Sequence, residues 1–309
     1  MKKIVVIGSI NMDLVTICKR VPNGGETLFG DEFFQVPGGK GANQAVAISK
    51  LGTDVTMLGK VGKDSFGKDL IEAMKKSGVD TNYIEYGEKS TGIAKIIVEE
   101  NGQNRILVVA GANYEVDKDY VDRHLDIIKS CDILVAQLEI PVETVAYALA
   151  KAKEFGKMTI LNPAPAKELD DEIIKNSDLI IPNESELSVI TGMKTDSQEE
   201  IKEAGKKLLN LGVKDLIITL GSKGSLFFNK EVCEFHSAYK VKAIDTTAAG
   251  DSFIGGLVRE LDLNIKNIGE AIEFATKVSA IAVTKKGAQT SIPTIEEVSS
   301  FKGVKNEEK

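Results

Sequence analysis

The chain has 309 residues and a formal net charge of −7, from 39 lysines and arginines against 46 aspartates and glutamates. No long basic run occurs before the last few residues, which argues against a nucleic-acid surface, and the length predicts about two domains or one large one with an appendage. The two histidines, His124 and His236, lie far apart in sequence, which excludes a multi-histidine zinc site and leaves a Ser-His-Asp hydrolase poorly supported.

The cysteines and the apolar runs indicate where in the cell the protein is expected to lie. Cys18, Cys131 and Cys233 form no Cys-x-x-Cys pair, and their odd number is typical of reduced thiols in a cytosolic protein. No apolar run approaches the roughly 18 residues that a membrane-spanning helix needs. The start MKKIVVIG is too short in its apolar part for a signal peptide and is typical of a first strand. We therefore expect a cytoplasmic protein without a membrane segment.

Short apolar runs alternate with longer amphipathic stretches along most of the chain. Strands are predicted, in chain order, at 4–8, 55–58, 133–137, 159–161, 179–181 and 216–220. Helices are predicted at 40–51, 66–76, 142–154, 184–191, 198–211, 250–261 and 267–283. This alternation predicts βαβ units, and therefore an α/β fold with a mostly parallel sheet that helices cover on both faces.

Two segments, at about 12–36 and 91–113, break this rhythm because they contain no long helix. Part of the second, from Thr91 to Val109, alternates like an exposed strand. We expect these segments to form a small antiparallel sheet that projects from the main domain as a lid. The tail from Lys302 onward is expected to be disordered.

One segment nearly matches a phosphate-binding motif. GKDSFGKD at 62–69 fits the pattern G-x-x-x-x-G-K-[ST] except at its last position, where Asp69 places a negative charge instead of a hydroxyl that could meet Mg²⁺. This mismatch favours an ordinary strand-to-helix turn. The residues after the first strand do not complete G-x-G-x-x-G, so a dinucleotide-binding fold is unsupported.

Two clusters have the composition of ligand-binding helix starts. In GGKGANQ at 38–44, glycines let the backbone approach a ligand. Lys40 and Asn43 would lie in the first turn of the following helix, where they are not the usual residues that complement the helix dipole, although a flexible loop is the alternative. In DTTAAGD at 245–251, small residues expose successive N–H groups as an anion site. Asp251 alone could merely complement the helix dipole, but that explains less well the second carboxylate at Asp245.

Two further clusters have strong local explanations. Asn183 and Glu186 have the spacing of an N-cap and its capping-box partner. TLGSKG at 219–224 follows a predicted strand and is by itself a common turn.

Taken together and in this order, the clusters resemble the ribokinase-like (PfkB) family of carbohydrate kinases. The matching segments are GSINMD at 8–13, GGKGANQA at 38–45, STGIA at 90–94, GAN at 111–113, QLE at 137–139, LNPAPA at 161–166, PNESE at 182–186, TLGSKG at 219–224, DTTAAGD at 245–251 and VTKKGAQTS at 283–291. The resemblance implies one doubly wound α/β domain over residues 1–309 with a small β-sheet lid. It also implies ATP-dependent phosphorylation of ribose at the 5-hydroxyl, and a homodimer that pairs through the lid sheets.

The resemblance also implies roles for individual residues. Sugar contacts would come from Asn11, Met12, Asp13, Gly39, Lys40, Gly41, Ala42, Asn43, Glu139 and Asp251. ATP contacts would come from Asn183, Thr219, Leu220, Gly221, Ser222, Lys223, Gly224, Gly250 and Thr276. Glu186 would organise the water shell of Mg²⁺, and Asp251 would be the catalytic base beside an anion hole of backbone N–H groups from Ala248, Ala249, Gly250 and Asp251. The monovalent-cation loop, for K⁺, would comprise Asp245, Thr247, Ala282, Lys285, Gly287 and Ser291.

Substrate choice within the family depends on a few positions. Sugar hydroxyls need acceptors such as Asp13 and donors such as Asn11. Because the related deoxyribose kinases carry an apolar residue where this chain has Asn11, we predict a preference for ribose over 2-deoxyribose. The chain departs from the family at Met12, where some members have a smaller residue, and at Ala248, which replaces the glycine of the common GAGD signature.

Two alternatives remain open at this stage. The first is a kinase for another furanose or a nucleoside, such as fructose or adenosine; a nucleoside needs an aromatic floor, and the chain has no tryptophan. The second is a non-catalytic sugar-binding or regulatory protein of the same fold. Such a protein would be expected to lose the base or the metal organiser, whereas both Asp251 and Glu186 are present.

Overall fold

The structure, a computed structural model, describes residues 2–306. In chain order the strands are β1 (Lys3–Ile7), β2 (Asn11–Cys18), β3 (Glu32–Gly38), β4 (Asp54–Gly62), β5 (Ile84–Gly87), β6 (Gly92–Glu99), β7 (Asn104–Val109), β8 (Ile133–Gln137), β9 (Met158–Asn162), β10 (Leu179–Ile180), β11 (Asp215–Thr219), β12 (Gly224–Asn229) and β13 (Cys233–Ser237). The helices are α1 (Lys40–Lys50), α2 (Ser65–Lys76), α3 (Lys118–Arg123), α4 (Leu125–Ser130), α5 (Val142–Glu154), α6 (Asp171–Lys175), α7 (Glu184–Thr191), α8 (Gln198–Asn210), α9 (Ala249–Glu260), α10 (Ile268–Ala282) and α11 (Ile295–Ser300). Every strand and helix predicted from the sequence is present.

The larger sheet has the strand order β13-β12-β11-β10-β9-β8-β1-β4-β5. All neighbours from β11 to β5 pair in parallel, and only β12 and β13 join antiparallel. The order reverses at β1, because the chain first builds the sheet outward to β4 and β5 and then returns to add β8 on the other side. The predicted doubly wound, mostly parallel sheet is confirmed.

Both faces of this sheet are buried, as β1 shows directly. Successive strand residues point to opposite faces. Ile4 and Val6 pack into a hydrophobic cluster with α1, α2, α9 and α10. Val5 and Ile7 pack into a second cluster with α3 to α8. The short apolar runs in the sequence therefore correspond to strands that helices cover on both sides.

The lid is a separate sheet of four strands in the order β3-β2-β6-β7. The outer pairs are antiparallel, but the central strands β2 and β6 pair in parallel, with Asn11 opposite Gly92. The prediction of an antiparallel sheet is therefore wrong for the central pair. The physical reason is connectivity: a hairpin forces antiparallel pairing, whereas a long crossover through α1, β4, α2 and β5 lets both strands leave the main domain in the same direction.

The near-match to a phosphate-binding motif is a strand-to-helix turn, as the mismatch at Asp69 indicates. Asp64 is the N-cap of α2 and accepts a hydrogen bond from the backbone N–H of Gly67 at 2.9 Å. The same carboxylate accepts from the backbone N–H and the hydroxyl of Thr91, at 2.8 and 2.6 Å. This segment therefore ties the start of β6 to the main domain.

The chain end is more ordered than its composition suggests. The backbone N–H of Lys240 donates to the carbonyl of Val304, and that of Asn306 donates to the carbonyl of Ala238, both at 2.8 Å. The prediction of disorder is therefore wrong for residues 302–306, and residues 307–309 lie outside the described part of the chain. Among the described residues, no helix is long and apolar enough to cross a membrane.

Candidate active site

The predicted site residues lie along one edge of the larger sheet, at the carboxyl ends of strands from β1 to β11. In a doubly wound sheet, the reversal of strand order opens a crevice at the carboxyl ends of the strands. Asn11 and Asp13 follow β1, Glu139 follows β8, and Asn183 and Glu186 follow β10. Five positions that span 176 residues of sequence, from Asn11 to Glu186, thus come to one edge of the sheet.

A cleft of about 200 Å³ lies at this edge. The predicted residues that line it are Lys40, Asn183, Glu186, Thr219, Ala248, Ala249, Gly250 and Asp251. Its other lining residues are Asn162, Ala164, Ile181, Thr246 and Ile254. The structure thus brings together the start of α1, the start of α7, the end of β11 and the start of α9.

The glycines before α1 permit a close approach of two backbone segments. Gly39 has φ of 88°, and a Cβ on it would lie 2.7 Å from the backbone nitrogen of Asn11 and 2.9 Å from the carbonyl oxygen of Ser9. A Cβ on Gly38 would likewise collide with the carboxylate of Asp13. The cluster at 38–44 therefore contains glycine because the start of α1 packs against the β1–β2 connection.

The electrostatics of the site centre on Lys40. Burial lowers the pKa of this ammonium, but Asp251, Glu139, Glu186 and Asp13 together outweigh burial and raise it. Lys40 therefore stays charged among four carboxyl groups.

The pKa of the Asp13 carboxyl group is strongly shifted by its surroundings. Burial, and then the negative charges of Glu139 and Asp251, raise the pKa of Asp13 to about 7, although Lys40 opposes this shift. Burial is also the main cause that raises the pKa of Glu186. The site therefore holds more negative charge than its one buried ammonium balances.

Asp251 is held by two amides. Its side chain is 6% exposed; Asn43 Nδ2 donates to Oδ2 and Gln44 Nε2 donates to Oδ1, both at 3.0 Å. The amide of Asn43, a predicted sugar contact, thus donates one of its hydrogens to the predicted base, and its contact with the sugar stays a prediction. Gln44 was not singled out from the sequence, although it directly follows Asn43 in the glycine-rich cluster.

Two residues that were not predicted from the sequence, Ser9 and Asn113, orient side chains that were. Ser9 donates through its hydroxyl to Glu139 Oε2, which also accepts from the backbone N–H of Lys40 at 3.2 Å. Asn113, buried at the root of the lid, donates through Nδ2 to Asn11 Oδ1 at 2.7 Å. Both lie in segments that match the family, GSINMD and GAN, but nothing local in the sequence identifies their partners.

The capping interpretation of Asn183 and Glu186 is confirmed. Glu186 donates its backbone N–H to Asn183 Oδ1 at 2.8 Å, and its own Oε2 accepts from the backbone N–H of Asn183 at 2.9 Å. Glu186 nevertheless lines the cleft. The capping box therefore holds this carboxylate at the site rather than excluding it from a role there.

The start of α9 differs in one detail from the expected anion hole. Ala248 has φ of 58°, a left-handed conformation that is uncommon for a residue with a side chain. Ala249 donates its N–H to the carbonyl of Thr246 at 3.2 Å, so this group is already used. The N–H groups of Ala248, Gly250 and Asp251 have no hydrogen-bond partner within residues 2–306 and remain available to an anion.

Several predicted ligand contacts have side chains that point away from the cleft. Met12, Ala42 and Leu220 lie in the hydrophobic clusters, with 4, 0 and 5% exposure. Met12 does so because alternation along β2 turns it to the face opposite Asn11 and Asp13. The roles of these three residues stay predictions, and their burial favours contact with a ligand through the backbone.

The remaining predicted nucleotide residues lie near the ends of β11 and along α10. Gly221, Ser222 and Lys223 form a short 3₁₀ turn that ends at Gly224. Lys223 is exposed and pairs with Glu184 at 3.4 Å. The hydroxyl of Thr276 donates to the carbonyl of Ile272 at 2.7 Å within α10.

The two segments of the predicted cation loop are joined by Asp245. Its Oδ1 accepts from the backbone N–H of Thr247, and its Oδ2 accepts from the backbone N–H of Gly287, both at 2.9 Å. Lys285 donates its backbone N–H to the carbonyl of Ala282 at 3.0 Å. Ser291 instead bonds to the carbonyl of Ala288, through its hydroxyl at 2.8 Å.

Known proteins are similar to this chain over nearly its whole length. A ribokinase of Schizosaccharomyces pombe is 45% identical over 319 residues, covering 99% of this chain and all of that protein. A deoxyribokinase of Salmonella typhi is 39% identical over 300 residues, covering 96% of this chain and 98% of that protein. The solved structure of Arabidopsis thaliana ribokinase complexed with ribose and ATP superposes with a TM-score of 0.91 at 33% identity, covering 97% of this chain and 99% of that one.

The model of the pfkB family carbohydrate kinases matches residues 1–295, which is nearly the entire chain. This protein belongs to the pfkB family of carbohydrate kinases.

Proposed function

We propose that this protein catalyses the ATP-dependent phosphorylation of D-ribose at its 5-hydroxyl, giving D-ribose 5-phosphate and ADP. The observation that carries the proposal is the position of Asp251, a buried carboxylate in the first turn of α9, inside the cleft and beside available backbone N–H groups. Asp251 takes the proton of the 5-hydroxyl while that oxygen attacks the γ-phosphorus of ATP. The bond between the γ-phosphorus and the bridging oxygen breaks, and ADP leaves with its electron pair.

The sugar is proposed to lie between the start of α1 and the root of the lid. The carboxylates of Asp13 and Glu139 accept hydrogen bonds from its hydroxyls, and Lys40 Nζ and Asn11 Nδ2 donate to them. A site for several hydroxyls needs both kinds of group, because each hydroxyl donates one hydrogen bond and accepts others. Glycine at position 39 keeps the backbone close to this space.

ATP is proposed to extend from the start of α9 toward the end of β11, where Asn183 and Thr219 line the cleft. The available N–H groups of Ala248, Gly250 and Asp251 stabilise charge on the transferring phosphoryl group. Glu186 suits Mg²⁺ held mainly through water, the coordination that this ion prefers. When bound, Mg²⁺ would neutralise charge on the β- and γ-phosphates.

A coupled assay of ADP release tests the proposed function. With ATP, Mg²⁺ and K⁺, we expect turnover with ribose and little with fructose or adenosine. Preferred turnover of fructose or adenosine would move the assignment to the corresponding kinase. Ribose binding by calorimetry without ADP release above background would instead establish a sugar-binding protein.

We further expect a preference for ribose over 2-deoxyribose of roughly 10- to 100-fold in kcat/KM. Asn113 binds Asn11 Oδ1, which leaves Asn11 Nδ2 to donate to the 2-hydroxyl. A buried donor that the deoxy sugar leaves unpaired costs about 1–3 kcal/mol. The measurement is kcat/KM for both sugars, with Asn11→Ala as the comparison. Equal efficiency in the wild type would contradict this role of Asn11.

We propose that K⁺ binds where Asp245 joins the segments 245–247 and 282–291. Backbone carbonyls are the oxygen donors that this loop offers, and those of Thr247 and Gly287 accept no hydrogen bond from another residue within 2–306. When bound, the cation would stiffen the start of α9 and thereby the anion site. We expect higher activity in K⁺ than in choline or Na⁺ buffer of equal ionic strength; equal activity in all three would refute the proposal.

We propose that the protein forms a homodimer through its lid sheets. The lid exposes a group of large apolar side chains: Phe33 (60%), Phe34 (41%), Ile106 (58%), Leu107 (67%) and Val108 (50%). A patch of this kind favours association with a second apolar surface. Analytical ultracentrifugation should find twice the chain mass, and Leu107→Asp should shift the distribution toward the single chain. A monomeric wild type at micromolar concentration would contradict the proposal.

We also propose a cytoplasmic location. Cys18, Cys131 and Cys233 are free thiols, and the first two are buried. This state is typical of proteins in reducing compartments. Fractionation of the source cells, with antibody detection, checks the location; recovery outside the cytoplasmic fraction would contradict it.

A further inference from the structure

A chain of buried amides leads from the middle of the sheet to Asp251. Gln137 Nε2 donates to Gln44 Oε1 at 2.6 Å, and Gln44 Nε2 donates to Asn162 Oδ1 at 3.2 Å as well as to Asp251. Asn162 Nδ2 donates to the carbonyl of Ile181 at 3.2 Å. Gln44 and Gln137 are completely buried, and Asn162 is 8% exposed. Gln44 lies on α1, Gln137 on β8 and Asn162 on β9, so three elements of the fold position the chain of amides.

The direction of this chain is determined by a backbone group. The carbonyl of Ile181 can only accept, so Asn162 must turn Nδ2 toward it and Oδ1 toward Gln44. Gln44 must then present Nε2 to Asn162 and, with its second hydrogen, to Asp251. Its Oε1 is left to accept from Gln137. Every amide in the chain therefore has one orientation, and the donor faces Asp251.

Gln137 is the last amide of this hydrogen-bonded series, and only one of its two polar atoms has a hydrogen-bond partner within residues 2–306. Gln137 Oε1 is buried and finds no hydrogen-bond partner within residues 2–306. It occupies the place where a side chain at position 8 would lie, since a Cβ on Gly8 would fall 1.9 Å from it. Leaving a buried acceptor unpaired is unfavourable. Gln137 nevertheless turns Nε2 toward Gln44, because the atom that Gln44 presents to it, Oε1, can only accept.

We propose that Gln44 is a positioning residue for the proton transfer, locked by the amide chain so that it holds Asp251 Oδ1 in the direction that receives the proton of the sugar. This inference rests on the proposed function, in which Asp251 is the base. Asn43 binds the other oxygen, Oδ2, at 3.0 Å. With one donor on each oxygen, the carboxylate cannot rotate freely, while its remaining lone pairs stay available to substrate.

Other charged groups also interact with Asp251. They are Asp13 on β2, Lys40 on α1 and Glu186 on α7. None of them belongs to the amide chain, so a substitution in the chain leaves these charges unchanged.

The test compares Gln44→Met with the wild type at saturating ribose and ATP across a range of pH. Methionine has a similar volume but no donor. We expect kcat to fall about 10-fold and its acid-side half-maximum to move up by about 0.5–1 pH unit, because a hydrogen bond to the charged carboxylate favours that form. The KM for ribose should stay within about twofold. The pH midpoint and KM do not depend on the fraction of folded enzyme.

Two further variants distinguish positioning from general stability. Gln137→Met removes one fixing contact of Gln44 but not its contact to Asp251, so we expect a smaller shift in the same direction. Ser177→Ala deletes a buried hydroxyl that donates to the carbonyl of Ile173, away from the cleft, and should lower Tm without moving the pH midpoint. If Gln44→Met does not fold, Gln137→Met carries the test.

An unchanged pH midpoint in the variant that folds would overturn the proposal, whatever its kcat. So would a rise in the KM for ribose as large as the fall in kcat, since that pattern indicates general distortion of the site. If Asp251→Asn itself retains wild-type kcat, then the assignment of the base fails, which is a failure of the proposed function and a separate result.

Discussion

Asp251→Asn should lower kcat by at least ~100-fold while changing the affinity for ribose little. Asparagine has nearly the shape of aspartate but cannot take the proton of the attacking hydroxyl. The measurement is ADP release at saturating ribose and ATP, together with ribose binding by calorimetry. A variant that keeps more than about a tenth of the wild-type kcat would rule out Asp251 as the base.

The surroundings of Asp251 can accommodate this substitution. The amide chain holds Gln44 Nε2 toward the residue, so an asparagine would turn its carbonyl oxygen to Gln44 and its NH₂ toward Asn43. Asn43 Oδ1 has no hydrogen-bond partner within residues 2–306, so a rotation of that amide supplies the acceptor. Asp54→Asn, at the exposed start of β4, is a matched control that removes a charge without touching the cleft.

Asp13→Asn should weaken ribose binding by roughly 10- to 100-fold, because a charged acceptor of sugar hydroxyls becomes a neutral amide. The same substitution should stabilise the ligand-free protein at alkaline pH. The folded state raises the pKa of Asp13 from 3.8 to about 7, so it binds the proton more tightly than the unfolded chain does. Stability from this group is therefore full below about pH 4 and is lost as the pH rises to about 7.

Thermal unfolding at two pH values checks the stability effect. Asp13→Asn should have a higher Tm than the wild type at pH 8, and the difference should shrink as the pH approaches 5. A lower Tm for the variant at pH 8 would show that the charge of Asp13 stabilises the apo fold, contrary to this expectation.

The pH dependence of sugar binding follows from the same group. In the wild type, the KM for ribose should rise as the pH falls below about 7, since protonated Asp13 loses its charge and one acceptor site. Glu139, Asp251 and Lys40 face the same space, and all three remain in Asp13→Asn. We expect the KM for ribose to vary with pH in the wild type but not in Asp13→Asn. The same pH dependence in both proteins would assign the titration to another group.

Much of the architecture could be predicted from the sequence because it depends on short-range regularities. Apolar runs bounded by turns mark strands that helices cover on both faces, and the amphipathic stretch 142–154 corresponds to a helix with those ends. The capping box of Asn183 and Glu186 is likewise a local feature, closed over three residues. For such elements, the information lies within about one or two turns of chain.

The residues that meet at the site could be gathered from the sequence only through their resemblance to a family. Lys40 and Asp251 lie in separate glycine-containing clusters, and no spacing rule connects them. The structure places both at one cleft because parallel strands end at the same edge of the sheet. The resemblance therefore supplied the set of residues, and the sheet supplies the physical reason for it.

Only the tertiary structure decided how these side chains are partnered and charged. Asn43 and Gln44 reach Asp251 across more than 200 residues of sequence, and the raised pKa of Asp13 depends on its burial and on the charges of Glu139 and Asp251. The parallel pairing of β2 with β6 depends on a crossover through the main domain. The sequence by itself determined the α/β layers and the local caps, since these arise from neighbours along the chain. The orientation of the base and the protonation of the sugar site arise from neighbours in space.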